Sequence, residues 1–226
     1  MKTPKQFYTE LTAKGLAKRK EKSMHKAEFS DLKRFLNKKQ RILDLGCGYG
    51  RFTIPLRRDE YDVKGIDITP ALIKEAILKS EKAKMKIDFR IGDMLELPYK
   101  KESFDAIICM WSVFMELTKE LDQLKAIKEM LRVLSKNGFA LIEMPVPYQN
   151  KKEVDIIKYE KDNDEIIFKK DSRIVTGKFS GIEIMPSYKH DKKTLSRLMK
   201  ESKIKKFKIF ITKFEGRKRL FLQFWR

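Results

Sequence analysis

Cysteine, histidine and long apolar runs are scarce in this chain, and each scarcity removes a class of reading. Cys47 and Cys109 are the only cysteines among 226 residues, with no CxxC pair and no Cys/His cluster. A structural zinc site is therefore not expected, and no metal is assigned. His25 and His190 stand far from both thiols in sequence, so an activated thiol–imidazole pair is not expected either. The plain reading of both cysteines is small buried residues. No stretch approaches the ~20 consecutive apolar residues of a membrane-spanning helix, and residues 1–10 lack the apolar segment of a secretory signal. A soluble, cytoplasmic protein with no membrane association is expected.

What the chain has in abundance is positive charge, with 52 Lys and Arg against 32 Asp and Glu, a formal net charge of +20. Such a balance attracts phosphate backbones and makes nucleic acid a possible partner. Lysine spread throughout, with abundant Glu, is equally the composition of proteins built for high temperature. The basic runs at 18–22 and 217–219 are short and interrupted, as in solvated faces. Nothing here fixes an oligomeric state.

The length suits one hydrophobic core. Apolar residues at spacings of three and four predict a leading helical segment over 7–36, within residues 1–40. Residues 41–144 alternate strand-like and helical stretches: strands at 41–45, 61–67, 87–92, 104–110 and 139–144, helices at 70–80 and 121–134. Asn137 and Gly138 supply the stop of the latter helix, whose face Leu121, Leu124, Ile127, Met130, Leu131 and Leu134 should pack in the core. Alternation of this kind specifies a doubly wound α/β fold, a mostly parallel sheet with helices on both faces. Residues 145–190 read as a β-rich flap inserted after the fifth strand. A helix at 192–202 and two strand-like runs, 206–214 and 219–225, then close the sheet as an antiparallel hairpin, giving seven strands.

The sharpest signal lies where the first strand ends: Asp44, then Gly46, Gly48 and Gly50 at alternate positions. Glycines there let backbone pass close to a ligand. Dinucleotide enzymes favour GxGxxG, which presents a helix N-terminus to pyrophosphate. This loop is GxGxG with an acid beside it, which repels pyrophosphate and suits a ligand bearing an ammonium and a sulfonium. Asp67 ends the second strand, where a carboxylate can accept both ribose hydroxyls. Asp93 follows the third strand, where it can reach an adenine amino group or cap a helix. Asp105, before its strand's buried run, reads as packing or capping.

With these residues in view, segments 42–56, 63–67, 91–97, 104–117 and 121–144 resemble class I S-adenosylmethionine-dependent methyltransferases, in family order over about half the chain. The resemblance implies S-adenosylmethionine as cofactor, with S-adenosylhomocysteine as product. It places Asp44 and the loop Gly46, Cys47, Gly48 and Gly50 along the methionine portion, Asp67 and Ile68 at the ribose, and Asp93 and Met94 near adenine. Backbone around Met110 and Trp111 would approach the amino-acid end, and Tyr8 of the leading segment would fold over the cofactor. Arg51 either meets the ligand's carboxylate or covers the helix start.

The methyl acceptor has no signature. The run 109–112 lacks the Asp/Asn-Pro-Pro-aromatic motif of enzymes that methylate exocyclic amino groups, and no Pro-Cys nucleophile is present. A small molecule is the expected acceptor, with RNA or protein, or a non-catalytic role as a cofactor-binding subunit, as alternatives. Trp111, Phe114, Tyr148, Tyr188 and His190 are candidates for shaping the acceptor side, and Glu143, His190 and Tyr188 are the weak candidates for a base. Deleting residues 150–170 of the flap is expected to leave S-adenosylhomocysteine affinity within threefold while abolishing turnover. Calorimetry and a labelled-methyl assay check this, and loss of cofactor binding would overturn it.

Overall fold

The computed structural model describes residues 2–20, 25–146, 156–161, 164–169, 173–179, 182–183, 185–214 and 217–226. Five short, nearly continuous apolar runs form parallel strands: β1 (Arg41–Leu45), β2 (Asp62–Asp67), β3 (Phe89–Ile91), β4 (Phe104–Cys109) and β5 (Leu134–Pro145). The central ones, β1, β4 and residues 139–144 of β5, are apolar on both sides because both faces are covered. Ile42, Ala106 and Ile108 pack into one hydrophobic cluster, while Leu43, Ile107 and Cys109 point into the other. Helices α3 (Thr53–Arg58), α4 (Pro70–Lys82) and α5 (Glu120–Val133) connect the strands. The closing segment is α6 (Lys192–Glu201) and the hairpin β11 (Phe207–Phe214) and β12 (Arg217–Trp225). Its helix starts on a reciprocal cap: Asp191 accepts the Thr194 N–H at 2.7 Å and Thr194 Oγ1 accepts the Asp191 N–H at 2.9 Å.

The strand order is β11-β12-β5-β4-β1-β2-β3, with β12 antiparallel to β5 and β11 antiparallel to β12. This is the expected seven-stranded sheet with its closing hairpin. From β1 the chain winds outward to β3, then crosses back to lay β4 on the other side of β1. The carboxyl ends of β1 and β4 therefore flank a topological switch point, where open α/β sheets hold their ligands. No helix among the described residues is long and apolar enough to cross a membrane.

The leading segment is helical in two pieces. It forms α1 (Pro4–Lys20), broken at Thr12 by a φ of 61°, and α2 (His25–Lys33); Phe35 and Leu36 follow the helix rather than belong to it. Two expectations fail around α5. Leu121 is 79% exposed, in the first turn of α5, and not packed in the core. Nor are Asn137 and Gly138 a helix stop, since β5 begins directly after Val133. Asn137, at φ 69°, and Gly138 instead accommodate a register shift against β4. The flap is β-rich as expected: β6 (Ile156–Lys161), β7 (Asp164–Lys169), β8 (Ile174–Phe179), β9 (Ile182–Glu183) and β10 (Ser187–Tyr188) form a second, antiparallel sheet. Tyr148 and the turn residues Glu215 and Gly216 lie outside the described residues.

Phe221 of β12 is fully buried, with ring centroids 5.4 Å from Phe210 and 5.9 Å from Phe35. It ties the hairpin to the segment after α2. Phe221→Ala is expected to cost about 3–5 kcal/mol in urea unfolding; a loss under about 1 kcal/mol would show that this stack is not a packed core.

Candidate functional site

The end of β1 turns sharply because Gly46 and Cys47 both donate N–H bonds to the Ile66 carbonyl of β2, at 2.8 and 3.0 Å. A Cβ at Gly46, whose φ is 77°, would meet Val113 at 2.5 Å, so this glycine is required by packing. Gly48 differs, since a Cβ there would touch only Leu72 at 3.9 Å and otherwise project into open space. That space is a cavity of about 1010 Å³ including its mouth, at the upper end of the roughly 300–1,000 Å³ of small-molecule sites. It lies over the carboxyl ends of β1, β2 and β4.

Three acids reach it from successive strands. Asp44 is 2% exposed and accepts the Thr53 hydroxyl at 2.6 Å; burial pushes its carboxyl up to about 7. Asp67 accepts N–H bonds from Gly48 at 2.9 Å and Thr69 at 2.8 Å, and burial raises it as well, against the pull of those bonds. Asp93 accepts the Leu95 N–H at 2.9 Å, which holds Met94 in the wall. Arg51, the one cation among the described lining residues, forms a buried ion pair with Glu28 of α2 and lies 4.1 Å over the Trp111 ring. Its Nε and Nη1 have no hydrogen-bond partner among the described residues, so both expected roles, meeting a ligand carboxylate and covering the helix start, stay open to it.

After β4, Trp111 and Ser112 both take left-handed backbone, with φ of 59° and 66°, which costs non-glycine residues energy and clusters at functional sites. Glu143 holds them there. It is 1% exposed, accepts the Trp111 N–H at 2.7 Å and pairs with Arg219 of β12. The next residues form a 3-10 turn, Val113–Glu116, whose Glu116 lines the cavity and accepts the Tyr8 hydroxyl of α1 at 2.6 Å. Burial above all, with Glu116 beside it, keeps the Tyr8 phenol protonated well above its ordinary range.

Twelve of the thirteen expected cofactor residues thus line one cavity: Tyr8, Asp44, Gly46, Cys47, Gly48, Arg51, Asp67, Ile68, Asp93, Met94, Met110 and Trp111. Gly50 does not; it faces Ile54 and Phe89 behind the loop. The base candidates lie elsewhere. Glu143 is engaged beneath the 110–112 loop. Tyr188 donates to Glu120 at 2.9 Å, and His190 is buried against the Tyr188 and Phe114 rings, with burial lowering its imidazole to about 4. Sequence reasoning missed Glu116, Val113 and Leu117, whose i, i+3, i+4 spacing was a usable signal of one shared face. Asp105 is the structural residue it was read as, bound by Arg41 at 2.8 Å.

A Rossmann-like sheet with a glycine loop and acids at its first strand ends defines a nucleoside-binding protein of the doubly wound class. Residues 42–138 match the model of a methyltransferase domain family. The chain is 34% identical to a demethylmenaquinone methyltransferase of Deinococcus radiodurans over 48% of its own length and 44% of the relative's. It is 32% identical to an uncharacterized protein of Methanocaldococcus jannaschii over 69% and 61%. These curated relatives are therefore matched over about half of their length. The crystal structure of the PH0226 protein from Pyrococcus horikoshii superposes with a TM-score of 0.69 at 21% identity, covering 96% of this chain and 94% of that one, a likeness of fold. Over residues 42–138 the chain is thus similar to the methyltransferase domain family, on a sheet of the doubly wound class.

Asp44 gives the site a pH signature. Its carboxyl binds a proton more tightly folded than unfolded, so the stability it confers is full below about pH 4 and is lost as pH rises through about 7. Asp44→Asn is therefore expected to gain on the wild type between pH 4.5 and pH 8, by an amount on the order of 4 kcal/mol at most. Urea unfolding without ligand at the two pH values checks this, and a pH-independent difference would overturn it.

Proposed function

We propose that this protein transfers a methyl group from S-adenosylmethionine to a small-molecule acceptor. The observation that carries the reading is the row of acids on one cavity: Asp44, Asp67 and Asp93, each from the end of a neighbouring strand, beside a glycine loop open to the cavity at Gly48. Such a donor set suits a cationic nucleoside and repels a pyrophosphate, which speaks against a nicotinamide-dependent oxidoreductase.

Bound S-adenosylmethionine would supply a methyl on a sulfonium, open to in-line displacement. In this reading Asp44, Gly46, Cys47 and Gly48 hold the amino-acid portion, where a desolvated carboxylate favours an ammonium. Asp67 and Ile68 flank the ribose; a carboxylate offers about four acceptor sites, so two remain beyond its bonds to Gly48 and Thr69. Asp93 and Met94 face the adenine, while Met110, Trp111 and Arg51 form the inner wall. Tyr8 covers the opening. Holding the reacting atoms in line and away from water supplies ~7 kcal/mol or more. No general base is assigned. Glu116, on the cavity wall with the Tyr8 hydroxyl, is the carboxylate placed to orient an acceptor's N–H or O–H.

The Deinococcus relative is named for a small molecule, which supports that acceptor class. The cytoplasmic setting and the division into core, flap and closing hairpin belong to the same proposal.

Thermal unfolding with S-adenosylhomocysteine, with NADH and with neither tests the reading. At a hundred times its Kd a native-state ligand adds about 2.7 kcal/mol, so a clear rise in Tm is expected with S-adenosylhomocysteine alone. Asp67→Ala should weaken that binding tenfold or more. A shift with NADH and none with S-adenosylhomocysteine would overturn the assignment.

A further inference from the structure

Half of the net positive charge lies in the last 36 residues. Residues 191–226 hold 13 Lys and Arg against 3 Asp and Glu, a surplus of ten out of +20. The fold gathers this segment on one side of the molecule, because β11 is the edge strand of the large sheet and α6 packs against it.

Within the segment the two kinds of cation are used differently. Three of the arginines are paired: Arg197 with Glu120, Arg219 with Glu143, and Arg226 with Glu102 at 2.9 Å. The acids are consumed too, Asp191 by Arg173 at 2.7 Å and Glu201 by Arg197 at 3.8 Å. The lysines remain. Lys192, Lys193 and Lys200 project from α6, Lys203, Lys205 and Lys206 from the turn after it, and Lys208 and Lys213 from β11. All are exposed, and none has an acidic partner among the described residues. The Lys206 and Lys208 ammoniums lie 5.0 and 6.0 Å from the half-buried Trp225 ring.

Two plainer explanations account for only part of this. Lysines on an edge strand prevent edge-to-edge pairing, but that covers Lys208 and Lys213 and not the turn or α6. Heat-adapted surfaces carry lysine in ion-pair networks, and these lysines are unpaired. Lys208 and Lys213, five residues apart on β11, project to opposite faces of the sheet, so the unneutralised ammoniums wrap the edge over about 25 Å of strand, a path that a flexible chain of phosphates can follow. Ile211 is the one large exposed apolar residue described in the segment, too little for insertion into a bilayer interface. An aromatic ring among cations is instead what single-stranded nucleic acid stacks on.

We propose that the α6–β11–β12 edge binds the phosphate backbone of single-stranded nucleic acid, with Trp225 as a platform for a base. The surface starts at the end of the sheet opposite the cavity, where Trp225 pairs with Phe139, and runs to the cavity end, where Arg219 pairs with Pro145. It is separate from the acid-lined cavity and does not depend on the methyl-transfer reading.

The test is fluorescence anisotropy of a labelled 20-nucleotide oligouridine with the full chain between 50 and 200 mM KCl. Affinity should fall steeply with salt. Combining Lys203→Glu, Lys205→Glu, Lys206→Glu and Lys208→Glu should weaken binding at least tenfold and flatten the log–log salt slope by about 3, at ~0.7 per phosphate contact. Charge reversal of Lys74, Lys82, Lys86 and Lys128, exposed on other elements, makes the same change in net charge and should cost less than threefold. Thermal unfolding confirms that both variants fold. Equal losses in the two variants, no binding at 50 mM KCl, or tighter binding to phosphatidylserine vesicles than to the oligonucleotide would overturn the proposal.

Discussion

A buried carboxyl group sits where the sheet changes its winding direction. Asp44 is buried on the central strand and accepts the hydroxyl of Thr53 in the first turn of α3. An ionised group in that position needs a proton or a cation, and no Lys or Arg among the described residues pairs with it, the Arg51 Nη2 lying on Glu28. The glycine loop can pass over the carboxylate only because its backbone turns left-handed, and it stays there because Gly46 and Cys47 are bonded to β2. Both the emptiness above Gly48 and the pressure for a positively charged occupant follow from that one desolvated acid.

The opposite wall depends on a second buried acid with a different task. Glu143 spends its carboxylate inside the protein, on the Trp111 N–H and on Arg219. Removing one partner of such a buried pair leaves an uncompensated charge, typically at a cost of about 3–5 kcal/mol. The strained pair Trp111 and Ser112 is therefore held by β5 and, through Arg219, by the closing hairpin. That hairpin is remote from the cofactor loop in sequence, yet it fixes the geometry of the cavity's inner wall.

The fold was legible in the sequence where one physical rule acted alone. Apolar runs ending at glycines gave the strands, and alternation gave the winding. The acids at strand ends were readable because their positions follow from the topology. Reasoning failed where two rules competed. Asn137 and Gly138 have the chemistry of a helix stop and also of a strand irregularity, and pairing with β4 decided for the second. Leu121 has the right helical phase but is exposed in the first turn of α5. Glu143 ends a strand near the site, as an acid in a catalytic role would, and only three dimensions reveal Arg219 beside it. Glu116 was overlooked although its spacing with Val113 and Leu117 marks one shared face.

The roof of the cavity shows how the peripheral segments act together. Phe7 and Leu11 of α1 are buried against Met185 of the flap, with Tyr8 packed on the same cluster. One turn of helix thus faces the flap through apolar contacts and the cavity through the Tyr8 hydroxyl bond to Glu116. A single hydrogen bond nets only about 1 kcal/mol, whereas burying side chains such as Phe7 and Leu11 contributes about 1.5–3 kcal/mol each. The flap contact therefore outweighs the tyrosine bond in holding α1 down. A ligand passing under Tyr8 must displace α1 with whatever part of the flap its apolar face carries, unless the helix bends at Thr12, where its backbone is already broken.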